Sequence, residues 1–202
     1  MNSVIQCLHA TQPIKQALVG YTGDCEITKS VRDVNVPMLL DRMTKFSTEP
    51  NDPHEFILSL IDTFENTLDR DLFYGTVKSK FISHDGKVTE TRSEFSSLMF
   101  HSDDMDIDKP DYIIDSGIGK FSCKHLTYEK MPGVIMCLFV RPTAMELPKV
   151  YKDKQLTSCV VYHPGHYVAC IKENDQWFMI DDDRIYGVND NFRVPVYLAL
   201  YS

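Results

Sequence analysis

The chain has 202 residues, 43% of them hydrophobic and 25% charged, which predicts one globular domain whose core is single or split between two lobes. Its formal net charge of −8 disfavours nucleic acid as a partner and favours a basic protein. No apolar run approaches the ~18 residues of a membrane-spanning helix, so we expect no membrane association. The six cysteines show no paired spacing, which suits a reducing compartment, the cytoplasm or the nucleus.

The first eight residues predict a buried amphipathic helix. The apolar residues recur at the spacing of one helical face: Met1, Val4, Ile5 and Leu8. Cys7 lies beside this stripe and is expected in the core. The segment lacks the basic start and the long apolar stretch of a secretory signal. A domain seldom begins inside a core helix, so we expect further residues before Met1.

Three more helices are predicted in the first third of the chain. One begins near Pro13 and another near Pro37. The third is the best specified, because Asp52 is a good N-cap, Pro53 suits the first helical position and Glu55 can complete a capping box. The buried stripe of this third helix would consist of Phe56, Leu60, Ile61, Phe64 and Leu68.

After residue 72 the pattern changes to strands. Alternating residues on both sides of Asp85-Gly86, which is a hairpin turn pair, predict two strands. The continuous apolar run from Val134 to Val140 predicts a strand that is buried on both faces. Further strands of a mainly antiparallel sheet are predicted at residues 156–163, 168–172, 177–180 and 194–201.

The second and third of these last segments predict a β-hairpin with polar chemistry at its open end. If the Asn-Asp pair at residues 174–175 forms the whole loop, His166 faces Asp183 and has Asp181 as its diagonal neighbour. A carboxylate in that position can fix the tautomer of an imidazole and stabilise its cation, as for a general base. The same alternation places Asp182 on the opposite face, but a register slip of one residue would exchange Asp181 for Asp182.

The same residues also permit a plain structural interpretation. Gly165 would mark a turn, His166 would be a surface histidine, and the acidic run at residues 181–183 would end a strand. Lone histidines of this kind are common, so the hairpin by itself leaves both interpretations open.

Three segments resemble the sequence boxes of the ubiquitin-specific proteases (USPs), the papain-like cysteine deubiquitinases. Residues 1–8, MNSVIQCL, resemble the end of GNTCYMNSxxQxL, the box that carries the nucleophile. Residues 51–56, NDPHEF, resemble QDAHEF, and residues 165–167 with 177–183 resemble GHYxAY…WxxFDD. The three matches follow the order of the family from one end of the chain to the other.

The resemblance implies an α+β fold, the papain-like cysteine peptidase fold of this family, in a single domain over residues 1–202. Residues 1–72 would form a helical lobe, the thumb. Residues 73–202 would form an antiparallel sheet, the palm, with a reduced hairpin in place of a larger fingers region.

The resemblance also bears on metal binding. Many members carry a zinc ribbon in the fingers, held by two Cys-x-x-Cys pairs. Aligned with it, Ile82, Asp85 and Leu126 stand at three ligand positions and Cys123 at the fourth, with His125 nearby. One cysteine and one histidine do not make a tetrahedral site. We therefore expect no metal and no cofactor.

The implied reaction is hydrolysis of the bond after the C-terminal glycine of ubiquitin. The partner would be ubiquitin or a ubiquitinated protein, and the domain would act as a monomer. His166 would be the general base and acid, Asp181 would orient it, and Asp182 would assist as a secondary polar group. The residues in contact with the ubiquitin tail would be Asp52, Glu55, Gly165 and Tyr167.

The nucleophile itself is not in the chain as given. The cysteine of the family stands two positions before the residue that Met1 matches, and its oxyanion-stabilising asparagine stands earlier still. We therefore expect this chain alone to be inactive. An alternative is a catalytically inactive ubiquitin-binding or scaffold protein, a pseudoenzyme that has lost the thiol, which the replaced zinc ligands fit. A third interpretation, an unrelated papain-like hydrolase or transferase, would make the helix boxes coincidental.

Overall fold

The computed structural model describes residues 2–16, 52–63, 69–101, 104–106, 111–115, 120–182 and 184–202. The helices in these ranges are α1 (Asn2–Ala10), α2 (Pro53–Thr63) and α3 (Arg70–Phe73), and residues 12–16 are helical as well. None of these described helices is long and apolar enough to span a bilayer. The helix predicted near Pro37, together with Phe64, Leu68 and Asp183, lies outside the described residues.

Strands make up most of the remaining described residues and form two sheets. One sheet has four strands in the order β2-β1-β5-β4, and the other has nine strands, in the order β12-β11-β10-β9-β13-β6-β3 with β7 on β13 and β8 on β9. The strands are β1 (Gly75–Ile82), β2 (Val88–Phe95), β3 (Ser97–Phe100), β4 (Asp111–Asp115), β5 (Lys120–Lys130), β6 (Ile135–Phe139), β7 (Ala144–Met145), β8 (Val150–Tyr151), β9 (Lys154–His163), β10 (His166–Glu173), β11 (Gln176–Asp181), β12 (Arg184–Val188) and β13 (Val194–Tyr201).

The four-stranded sheet is larger than the sequence predicted. The hairpin of β1 and β2 is confirmed, with Gly86 at φ 84° in its turn. However, β5 pairs along the other side of β1, and β4 pairs with β5, so the expected reduced hairpin is wrong in extent. The sequence of β5 alternates well enough to read as a strand, but its polar composition carries no apolar run to mark it.

The nine-stranded sheet is covered on both faces. Helices α1 and α2 pack on one face, over residues such as Val160, Ala169 and Leu198. The alternate residues of the same strands, such as Cys159 and Ala199, are buried on the other face in a second cluster. Since both faces are buried, β6 is apolar at every position. The predicted burial of the run is confirmed for residues 134–139, whereas Val140 lies beyond the strand and is exposed. The sheet is antiparallel except where β3 pairs with β6 in parallel.

The predicted hairpin of β10 and β11 is confirmed with its register. Asn174 and Asp175 form the two-residue loop, with φ values of 49° and 62°. Both central residues of a type I′ turn need positive φ, which Asn and Asp tolerate better than most residues. The pairs run from Glu173 opposite Gln176 to Ala169 opposite Ile180.

Candidate functional site

His166 and Asp181 form a hydrogen-bonded pair at the open end of this hairpin. The Nε2 atom of His166 lies 2.7 Å from Oδ1 of Asp181, and each side chain is 42% exposed. His166 begins β10 and Asp181 ends β11, so the diagonal contact expected from the register is present. Asp181 engages Nε2, so Nδ1 is the ring nitrogen that this pair does not use. The geometry suits an imidazole that takes up and delivers a proton.

Asp182 joins this pair, although the sequence placed it on the opposite face. A ring nitrogen of His166 and carboxylate oxygens of Asp181 and Asp182 all lie within 4.8 Å of one another. The prediction was wrong because β11 ends at Asp181, which pairs with Arg184 of β12. Asp182 is therefore in the turn between the strands, with φ 53°, where strand alternation no longer applies. These three groups could also hold a cation, although exposed acidic groups are common without one.

Helix α1 directs its N-terminus to the end of the sheet that carries His166. The Cys7 thiol donates to the carbonyl oxygen of Cys159 at 3.3 Å. One turn later, the Thr11 hydroxyl lies 3.1 Å from that of Thr157. From Cys7 to Thr11, α1 therefore runs along β9 towards the first residues of that strand. In the opposite direction, the N-terminus of α1 lies towards the end of β9, where His163 pairs with His166 of β10. The free N–H groups and positive dipole end of α1 thus lie at the His166 end of the sheet.

The described cysteines are core residues rather than nucleophiles. Cys7, Cys137, Cys159 and Cys170 are all buried as free thiols. Burial raises the pKa of the Cys7 and Cys137 thiols well above the ordinary value, so both remain protonated. The prediction that Cys7 lies in the core is confirmed. None of these four described thiols is therefore a reactive group beside the His166–Asp181 pair.

Gly165 and Tyr167 flank His166 in sequence and differ in their surroundings. Gly165 lies between β9 and β10 with φ 80°, a conformation that glycine adopts without strain after a proline in a tight turn. A Cβ at this position would meet none of the described atoms within 4 Å, so the backbone here is open. The Tyr167 ring packs edge-on between those of Tyr162 and Tyr197, with centroid distances of 5.5 and 5.3 Å.

Asp52 lies near Tyr167 and caps α2 as predicted. Its Oδ1 atom accepts hydrogen bonds from the backbone N–H groups of His54 at 2.8 Å and Glu55 at 3.1 Å. Its Oδ2 atom accepts a hydrogen bond from the hydroxyl of Tyr197. Asp52 and Tyr167 thus share a neighbour, because the Tyr197 ring also packs against Tyr167. Burial, and then the charge of Asp52, raise the pKa of Tyr167. Glu55 is exposed in the first turn of the helix.

The predicted site residues therefore form two groups at one end of the sheet. His166, Asp181 and Asp182 make one group, and Asp52 with Tyr167 makes the other. By strand alternation, consecutive residues at the start of β10 point to opposite faces, and Tyr167 packs with the cluster that contains α1 and α2. Sequence reasoning missed Tyr197 and Tyr162. In the sequence, each was visible only as an aromatic residue in a predicted strand, which does not indicate a functional role.

Three of the four positions aligned with zinc ligands, Ile82, Cys123 and Leu126, lie on the neighbouring strands β1 and β5, and the fourth, Asp85, lies in the β1–β2 turn. Ile82 of β1 is directly opposite Cys123 of β5. One position from each of the two aligned Cys-x-x-Cys pairs is thus adjacent to the other, but Ile82 has no donor atom for a metal. The expectation that the chain binds no metal or cofactor stays a prediction.

Comparison with known proteins gives matches in structure alone. No family model and no curated protein matches the sequence. Solved structures of the SAGA deubiquitinase module, built from Ubp8, Sgf11, Sus1 and Sgf73, match it over 100% of its length. A structure bound to monoubiquitin gives a TM-score of 0.74 at 17% identity, and one bound to ubiquitin aldehyde gives 0.72 at 17%. A yeast module with an Sgf73 variant gives 0.77 at 16%.

The chain has a USP-like fold. Ubp8 is the USP of these modules, and an identity of 16–17% supports a distant relationship in fold. The chain spans 65–66% of the length of the matched chains. The mainly antiparallel sheets expected from the sequence agree with this fold.

Proposed function

We propose that the chain is a deubiquitinase-type cysteine peptidase domain, which binds the C-terminal tail of ubiquitin and serves hydrolysis of the bond after its last glycine. The observation that supports this most directly is the His166–Asp181 pair at 2.7 Å within a USP-like fold. In this proposal His166 takes the proton of a nucleophilic thiol and later gives it to the leaving amine. Asp181 keeps the imidazole oriented and stabilises its charged form.

In this proposal, the nucleophilic thiol would be N-terminal to α1. The N-terminus of that helix is at the His166 end of the sheet, and a thiol there would have a lowered pKa from the helix dipole and the imidazole. Asp182 would assist His166 as a further acceptor. The tail would be held by Asp52, Glu55, Gly165 and Tyr167. The open backbone at Gly165 supports this, because a tail of small residues can approach it closely.

The test compares the chain with an N-terminally extended form. The chain of residues 1–202 should bind fluorescent ubiquitin without cleaving a ubiquitin–fluorophore amide. A form extended by a USP-like segment, which ends in Cys-Tyr before Met1 and includes the oxyanion asparagine, should react with a ubiquitin-derived electrophile and gain turnover. Asp181→Asn in that form should lower kcat far more than it lowers ubiquitin affinity, because the lost orientation matters in the transition state. His166→Ala is the inactive control.

A ubiquitin-binding pseudoenzyme is the second candidate. The residues that replace metal ligands, Ile82, Asp85 and Leu126, fit this candidate. The buried thiols of Cys7, Cys137, Cys159 and Cys170 cannot act as the nucleophile in either candidate. A folded extended form that binds ubiquitin but does not react with the electrophile would decide for this alternative. Absence of ubiquitin binding in every form would contradict both candidates.

A further inference from the structure

The first turn of α2 is connected to the nine-stranded sheet by two side-chain contacts. The hydroxyl of Tyr197, on β13, donates to Oδ2 of Asp52. A ring nitrogen of His54 lies 3.0 Å from the hydroxyl of Ser97, on β3. These two strands lie on either side of β6, so the helix start is tied to the sheet at two separated points.

The two contacts differ in what they hold. The Asp52 carboxylate accepts two backbone N–H groups at Oδ1 and the Tyr197 hydroxyl at Oδ2. Three donors from two directions fix the plane of the carboxylate and leave only part of Oδ2 for another donor. Asp52 is nevertheless exposed, so a cationic group can reach that remaining position. The contact between His54 and Ser97 holds the helix but does not involve this carboxylate.

Tyr197 is well suited to hold the Asp52 carboxylate in one orientation. Burial, the hydrogen bond to Asp52 and the charge of that carboxylate together raise its pKa far above the ordinary value, so its hydroxyl stays a donor. Its ring is half-buried and packs edge-on against Tyr167. The direction of the hydroxyl is therefore set by packing rather than by the flexible end of a long side chain.

We propose that Tyr197 is a positioning residue, whose hydroxyl orients the Asp52 carboxylate towards a basic side chain of the bound partner. The inference rests on the proposed function, in which Asp52 receives the basic tail of ubiquitin. A neutral hydroxyl that donates to a carboxylate leaves its negative charge in place, so Tyr197 can orient Asp52 without neutralising it. The reverse role, a hydrogen bond that must break before the tail can bind, predicts the opposite effect of removing the hydroxyl.

The experiment removes one hydroxyl at a time and measures affinity for fluorescent ubiquitin by anisotropy. Tyr197→Phe keeps the ring and should weaken binding about three- to tenfold, the range of a hydrogen bond to a partly exposed charged group. Ser97→Ala removes the other tie and should change affinity less than about twofold. Tyr162→Phe, in the same row of rings, should also have little effect. In an Asp52→Asn background, which keeps a good N-cap, Tyr197→Phe should cause no further loss.

Each result supports or overturns the inference. Unchanged or tighter binding by Tyr197→Phe overturns it, and so does an equal loss in Ser97→Ala, which would show that the effect comes from holding the helix. The salt dependence of binding gives a second readout, since Tyr197→Phe should reduce it and a merely structural role would not. If the wild-type chain binds no ubiquitin, the proposed function itself fails. Circular dichroism and urea unfolding confirm that each variant is folded.

Discussion

In the nine-stranded sheet, β6 buries the side chain of every residue, whereas in the four-stranded sheet β2 is exposed at every position except its last. The first sheet lies between two apolar clusters. Across the second sheet, charged side chains of different strands meet. Lys78 of β1 lies 2.8 Å from Glu90 of the neighbouring β2, and Arg92 of β2 lies 2.6 Å from Glu129 of β5, on the other side of β1. One sheet is held mainly by hydrophobic burial and the other by its backbone ladder with exposed ion pairs.

This difference predicts unequal stability within one chain. Burial of apolar area contributes strongly at each position, whereas exposed ion pairs contribute little because solvent and salt screen them. We therefore expect the four-stranded sheet to open locally at a lower free energy than the nine-stranded sheet.

The largest effect is expected in the centre of the nine-stranded sheet. Leu198 is fully buried on β13, opposite Leu138 on one side and near Val160 on the other. Leu198→Ala should lower the free energy of unfolding by about 2–5 kcal/mol through lost burial and a residual cavity. Val77→Ala, a buried apolar position of β1, removes two carbons and should cost only about 1–2 kcal/mol. Urea unfolding followed by the fluorescence of Trp177 measures both, and equal losses would contradict the comparison.

Acid should affect the two regions in different pH ranges. Burial lowers the pKa of His54 in α2, and of His9 in α1, from the ordinary value of 6.5. The unfolded chain then binds more protons than the folded one, so the free energy of unfolding falls as pH drops below about 6.5. In the four-stranded sheet, the hydrogen bond from Lys78 lowers the pKa of Glu90 from 4.5. The contribution of ionised Glu90 to the free energy of unfolding is present above about pH 4.5 and is lost as the pH falls below that value.

His54→Gln tests the first of these ranges. Without the buried imidazole, the free energy of unfolding between about pH 7 and pH 5.5 should fall less steeply than in the wild-type chain. His84→Gln, at an exposed position of the β1–β2 turn, is the matched control and should leave the slope unchanged. An identical slope in wild type and His54→Gln would show that this imidazole does not govern the acid response.

The smallest effect is expected from a single ion pair of the four-stranded sheet. Lys78→Met removes the partner of Glu90 but keeps the aliphatic part of the side chain. The urea midpoint should move less than in Val77→Ala, and the small difference from wild type should vanish at high salt. A larger shift than in Val77→Ala would mean that charges, and not the few buried residues, hold this sheet.

The same difference explains what the sequence could predict. The turn residues Asn174 and Asp175 fixed a hairpin register by local chemistry, and that register led to His166 and Asp181. The cap at Asp52 was equally local. Burial on both faces left a visible apolar run at β6. In each case the information lies in one short continuous segment, the longest being the 15 positions between His166 and Asp181.

The features that were missed depend on contacts between distant segments. Strand β5 is largely polar and owes its place to pairing with β1, and β4 has only a short apolar run at residues 112–114 and pairs with β5. The hydrogen bond between Tyr197 and Asp52 joins residues that are 145 positions apart, so no local sequence pattern could predict it. Asp182 was misplaced for a different reason, because strand alternation was extended one residue beyond the end of β11.

The packing of α1 on β9 and β10 has a consequence for synthesis of the chain. Cys7 and Cys159, which this packing joins, are separated by 152 positions. At roughly 5–20 residues per second, a ribosome needs on the order of 10–30 seconds to make the intervening segment. During that interval the apolar stripe of α1 lacks the surface that later covers it. The α1 stripe can therefore be covered by its native partners only after the residues of β9 and β10 have been made, late in synthesis of the chain.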